Sequence, residues 1–120
     1  MIDKNDIDKF SKIIFETNNA LRKMVPSIAL AKSVIDAASD RRKKLLAECM
    51  VPFTKDGMKG ASAENAARAT KEYSEGFDEQ QDQLKSAYEV DFDWRRLTMK
   101  LDSARSLLAV SRETMHNFRE

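Results

Sequence analysis

The stretch "IDKFSKIIFETNNALRKMVPSIALAKSVIDAASDRRKKLL" (residues 7–46) decides the fold. Ile7, Ile14, Leu21, Ile28 and Ile35 recur every seven residues, and Phe10, Met24, Ala31, Ala38 and Leu45 fall three positions along the same stripe. That spacing is one face of an amphipathic helix, expected over about residues 5–50. Thr17 and Pro26 interrupt the pattern. Proline removes a backbone donor and clashes with the preceding turn. The phase survives across Pro26, so a kink and a break into two helices are both open readings, with the kink favoured.

Beyond this helix lies "VPFTKDGMKGAS" (residues 51–62), with one proline and two glycines. It reads as a turn over about 51–61, with Pro52, Gly57 and Gly60 ending the first helix. Ser62 is placed as the next N-cap, with Glu64 near the positive helix end. A second stripe then runs through Tyr73, Phe77, Leu84, Ala87, Val90, Trp94, Leu97, Leu101, Ala104, Leu108, Met115 and Phe118. It predicts a helix over about 62–118, on the order of 85 Å long. Gly76 is its weakest interior point, at about 1 kcal/mol against alanine.

Two such helices joined by one turn give an all-α fold, a long antiparallel helical hairpin forming a single domain. Length and composition agree: 120 residues, 34% charged, three glycines and two prolines. Chains of this size hold one domain, and few helix breakers favour long helices. Phe15, Val25, Val34, Phe92 and Leu107 fall off the two stripes. These residues need another surface, which points to assembly into a homo-oligomer.

The formal net charge of +1 conceals an alternation of blocks. Residues 41–71 carry eight Lys/Arg against three Asp/Glu, residues 72–93 one against eight, and residues 94–112 five against one. In a hairpin, Arg41, Arg42, Lys43 and Lys44 lie at the turn end with Lys55, Lys59, Arg68 and Lys71. A positive patch of that kind binds extended phosphate backbones through counterion release. The plainer reading is that the "RRKK" run solvates the last turns of a helix and complements its dipole. Arg95, Arg96, Lys100 and Arg105 form a second basic block beside Phe92 and Trp94. Aromatics next to arginines can stack bases. Trp94, however, is in phase with Leu97, Leu101 and Leu108, and these four are expected to hold helices or subunits together. For the acidic block, ion pairs along its own helix and pairs to a neighbouring chain are both open.

Chemistry-bearing constellations are not evident. Cys49 and His116 are the sole residues of their types. In a hairpin they fall near opposite ends, and Cys49 is in phase with Ile28 and Ile35 as a small core hydrophobe. One cysteine allows neither an internal disulfide nor a thiolate metal cluster. No phosphate-binding glycine loop or HExxH motif occurs, and Asp91 and Asp93 point to different helix faces. The expectation is a non-enzyme with no catalytic residues, metal or cofactor. The polar N-terminus is unlike a secretory signal, and no run reaches the roughly 18 apolar residues of a membrane helix. A soluble cytoplasmic protein without membrane association is expected.

The segment "SAENAARATKEYSEGFDEQQDQLKSAYEVDFDWRRLTMKLDSARSLLAVSRETM" (residues 62–115) resembles short helical bacteriophage proteins. It is also similar to the C-terminal helix of the UvsY family of phage recombination mediators. The matching elements are Val90–Asp91, Trp94, Leu101–Asp102 and Ser111–Arg112. The resemblance implies an oligomeric, non-catalytic protein in the host cytoplasm that binds single-stranded DNA. Such a protein helps load a recombinase onto strands coated by single-strand binding protein. Under it, Arg41, Arg42, Lys43, Lys44, Lys55 and Lys59 would face the DNA. The alternative is a protein-interaction module, such as a phage inhibitor of a host defence complex or an assembly scaffold; surplus apolar surface and charge blocks suit a protein partner as well.

Overall fold

The computed structural model describes residues 3–119, with side chains through residue 117. The chain is all-α, a helical hairpin of α1 (Lys4–Lys55), the short α2 (Ala61–Arg68) and α3 (Lys71–Arg119). Contacts group it into two units, one from Met1–Ile28 with Val90–Glu120 and the other from Ala29–Glu89.

The heptad stripe of α1 is its inner face. Leu21, Ile28 and Ala31 are buried, and Ile7, Phe10, Ile14, Met24, Ile35, Ala38 and Leu45 are half-buried. Thr17 is buried in the same row. Helix α1 runs through Pro26 without a break. The proline is exposed, so the carbonyl that loses its partner, on exposed Arg22, can turn to water. On α3, Ala87, Leu101, Ala104, Leu108 and Ser111 are buried, while Tyr73, Phe77, Leu84, Val90, Trp94, Leu97 and Met115 are half-buried. Phe118, expected on this stripe, has its side chain outside the described residues.

In the unit Ala29–Glu89, contacts between α1 and α3 run in opposite senses. Gly76 faces Leu45, Phe77 lies under Arg42, and Gln80 reaches the backbone of Arg41. The α1 numbers fall as the α3 numbers rise, which makes the pair antiparallel. At Gly76 the Leu45 side chain fills the space of a Cβ, which would stand 2.7 Å from Leu45 Cδ1. The glycine is a weak helix former retained at a contact that a methyl would crowd.

The turn region corrects three expectations. Helix α1 does not end at Pro52 but continues to Lys55. Proline's fixed φ is helical, and its missing donor leaves one carbonyl unpaired in the last turns; half-buried Phe53 extends the packed stripe past it. The stop comes at Gly57, with φ of 95°. There the Met58 N–H donates to the Phe53 carbonyl (3.0 Å) and the Gly57 N–H to the Thr54 carbonyl (3.1 Å). This is a Schellman closure around a left-handed residue.

Ser62 is not an N-cap. The next helix begins behind Gly60, whose φ of 56° makes the bend, with no side-chain cap. The Glu64 N–H already donates to the Gly60 carbonyl at 3.1 Å, which places Ser62 inside α2. Nor does one helix span 62–118. Helix α2 seats Ala63 and Ala67 with 0% exposure, and the chain breaks at Ala69 and Thr70 before α3. Thr70 joins the two helices. Its hydroxyl donates to the Ala67 carbonyl (2.7 Å) and accepts from the Tyr73 N–H (3.1 Å), closing α2 and capping α3.

Two outcomes test these contacts by urea denaturation. Gly76→Ala is expected to stabilise the native protein by less than the ~1 kcal/mol that helix propensity alone would add, because the end of the Leu45 side chain must shift to admit the methyl. In a Leu45→Ala background the same change is expected to give the full gain of about 1 kcal/mol. An equal gain in both backgrounds would mean that the contact with Leu45 does not govern this site. Thr70→Ala should cost about 1 kcal/mol, with most of that stability restored in Thr70→Ser.

Candidate nucleic-acid interface

All eight cations singled out at the turn end fall in the unit Ala29–Glu89. Seven are exposed: Arg41, Lys43, Lys44, Lys55, Lys59, Arg68 and Lys71. On α1, Arg41, Lys44, Glu48, Val51 and Lys55 follow one another at steps of three and four residues, so they form a single row on one face. Lys44 and Lys55 are about 16 Å apart along the axis. Lys59 follows in the turn, between the two positive-φ glycines. Exposed Val51 and Met58 stand among these cations.

Carboxylates meet only part of this charge. Arg68 pairs with Glu64 at 3.9 Å and Lys71 with Glu75 at 3.7 Å, both exposed pairs within one helix. Such pairs hold weakly and open readily to a competing anion. Among the described residues, Arg41, Lys43, Lys44, Lys55 and Lys59 have no carboxylate within 4.0 Å. Glu48 is the acid within their row.

Arg42 differs from its neighbours in the run. It occupies the seam position one heptad after Ile35, and its guanidinium carbon lies 4.4 Å from the centroid of the Phe77 ring. A cation over an aromatic face is held by the ring quadrupole. Its Nε is buried. Phe77 in turn packs against Tyr73, with ring centroids 6.1 Å apart. This inward setting was not anticipated from a run of four cations. The signal was the heptad phase, which assigns position 42 to the seam whatever residue stands there.

Two of the four cations in the second basic block are matched within their own helix, and Lys100 and Arg105 have no carboxylate within 4.0 Å among the described residues. Arg95 meets Asp91 at 3.1 Å and Arg96 meets Asp93 at 3.9 Å. Asp91 lies half-buried at the edge of the stripe, and Asp93 is exposed. The four residues expected to hold helices together lie in the unit that contains Val90–Glu120. Leu101 and Leu108 are buried there, and Trp94 and Leu97 are half-buried. The Thr98 hydroxyl donates back to the Trp94 carbonyl at 2.8 Å.

Cys49 is half-buried and borders an open groove with Leu45, Glu48, Pro52, Phe53, Thr70 and Glu72. It belongs to one unit, and exposed His116 to the other. Among the described residues, no group of three His, Cys, Asp or Glu side chains could hold a metal ion, and no helix is long and apolar enough to cross a membrane. What the surface offers chemically is charge and exposed apolar side chains in rows. No family model matches the chain, and no curated protein or solved structure is similar to it.

Proposed function

We propose that this protein is a non-catalytic accessory factor that binds single-stranded DNA and works as an oligomer. The observation that carries the reading is the row of Arg41, Lys44 and Lys55 on one face of α1, continued by Lys59 in the turn and flanked by Lys43 about 100° round the helix, without ion-pair partners among the described residues. Phosphates laid along the row would displace counterions. Val51 and Met58 offer apolar surface between the cations, against which the exposed base faces of a single strand can rest. Arg68 and Lys71 join at the rim as their exposed ion pairs open. A role in phage recombination, passing strands from single-strand binding protein to a recombinase, is what the resemblance to UvsY-type mediators adds.

Labelled single-stranded oligonucleotides titrated at several salt concentrations test this. Binding is expected at low salt, with log K falling by about 0.7 per phosphate contact for each tenfold rise in salt. The variant R41E/K43E/K44E/K55E should lose most of the affinity and flatten the slope. Absence of binding at low salt, or a variant that binds like the parent, would remove the reading.

A second reading, a protein-interaction module, is favoured by a different observation. Phe15, Phe92 and Met99 are 68%, 68% and 69% exposed, and Val25, Leu107 and Val110 are exposed as well. Val34, also expected off the stripe, is half-buried instead. The exposed side chains support the oligomeric part of the proposal equally well. Light scattering at micromolar concentration is expected to give a multiple of the 13.7 kDa chain mass, shifted towards one chain in Phe92→Asp/Met99→Asp. A monomeric parent protein would remove self-assembly and leave the exposed side chains to a different protein partner.

A further inference from the structure

Arg42 and Gln80 meet where α1 and α3 cross a small cavity of about 10 Å³, lined also by Val34, Ala38, Arg41 and Leu84. Gln80 Nε2 donates to the Arg41 carbonyl at 3.2 Å, which fixes the orientation of the amide. That leaves Gln80 Oε1, an acceptor, and Arg42 Nε–H, a donor, as two buried polar atoms without a protein partner. They are the two such atoms among the described side chains, and both belong to residues lining the same cavity.

A buried donor or acceptor left unpaired is costly, and native interiors satisfy nearly all of them. A water molecule needs about 10–15 Å³ of room and two or more polar partners. This cavity supplies about 10 Å³, one donor and one acceptor. An anion would meet the lone pairs of Gln80 Oε1, and a metal ion the Arg42 cation. A neutral molecule that both accepts and donates fits the pair.

We infer that the cavity is a binding site for one ordered water, which accepts from Arg42 Nε–H and donates to Gln80 Oε1. The water completes a polar layer in this part of the seam, with Phe77 covering the guanidinium. Arg42 then acts as a positioning residue of the hairpin, and the DNA-facing row works without it.

A high-resolution crystal structure of the full chain tests the site directly. A solvent peak within hydrogen-bond distance of both Arg42 Nε and Gln80 Oε1 is expected. A direct Arg42–Gln80 hydrogen bond with no such peak would overturn the inference. In solution, Arg42→Met and Gln80→Leu are each expected to raise the unfolding equilibrium constant about tenfold, equivalent to about 1.4 kcal/mol. The double variant, which removes both polar atoms, should lose less than the sum of the singles. Additive losses would count against the bridge. Arg42→Lys serves where Met prevents folding: it keeps a cation near Phe77 but lacks the Nε donor, so the solvent peak should vanish. Oligonucleotide affinity and salt slope, unchanged in folded Arg42→Met, which removes the charge, separate this positioning role from direct phosphate contact. A flattened slope in Arg42→Met would place Arg42 in the interface instead.

Discussion

Each long helix of this protein has one apolar face, and neither face can be left to water. Isolated helices draw little stability from their own hydrogen bonds, so most of it must come from packing. With no third layer to cover them, the stripes of α1 and α3 must cover each other. The hairpin follows from that mutual need, and so does the economy of the turn. Helix α1 runs on past Pro52 as far as packed Phe53, stops at a left-handed glycine, and re-enters helix at Gly60. Helix α2 then seats two fully buried alanines before Thr70 redirects the chain into α3.

An apolar heptad seam holds two helices together but discriminates weakly between alternative alignments. Here polar and special positions sharpen it. Gly76 leaves room that the Leu45 side chain fills. One turn further, Arg42 needs an aromatic face and Gln80 needs the Arg41 carbonyl, partners that a shifted alignment would not supply. Buried polar groups that find partners in just one register are a recognised means of specifying it, at some cost in stability. In the other unit, Thr17 and Ser111 take up buried positions on the inner faces of α1 and α3.

The inner face of α1 was legible because a strict seven-residue spacing of Ile and Leu can be read without knowing what packs against it. The same rule placed the α3 stripe from Tyr73 to Met115. It failed where residue type and position disagree. Arg42 holds a seam position but was read by its charge, and Gln80, Thr98 and Ser111 lie on the inner face of α3 although their polarity hides them from an apolar count. The break at Ala69 and Thr70 was hidden because "NAARAT" is composed mainly of good helix formers; only the threonine hydroxyl, placed to cap Tyr73, marks it. Pro52 was given too much weight, since near a helix C-terminus the loss of one hydrogen bond does not outweigh continued packing. The cations of the turn end could be assigned to one region from topology, but their division into five unpaired, two paired and one inward-facing depended on side-chain geometry.

The same packing puts charge and apolar groups on the outside, displayed at helical intervals. The proposed function uses that display. A rigid helix face suits that task, because Arg41, Lys44 and Lys55 are held in a line by the backbone and lose no loop entropy when a ligand lies along them. The acid in that row, Glu48, moderates the charge without breaking the line. A flexible polyanion can adjust its phosphates to such spacing, whereas a folded protein partner would have to match both the cations and the interleaved Val51 and Met58 with a fixed surface of its own. Under the proposed function, the row takes the extended, compliant ligand, and the exposed side chains Phe92 and Met99 of the other unit take the contacts between proteins.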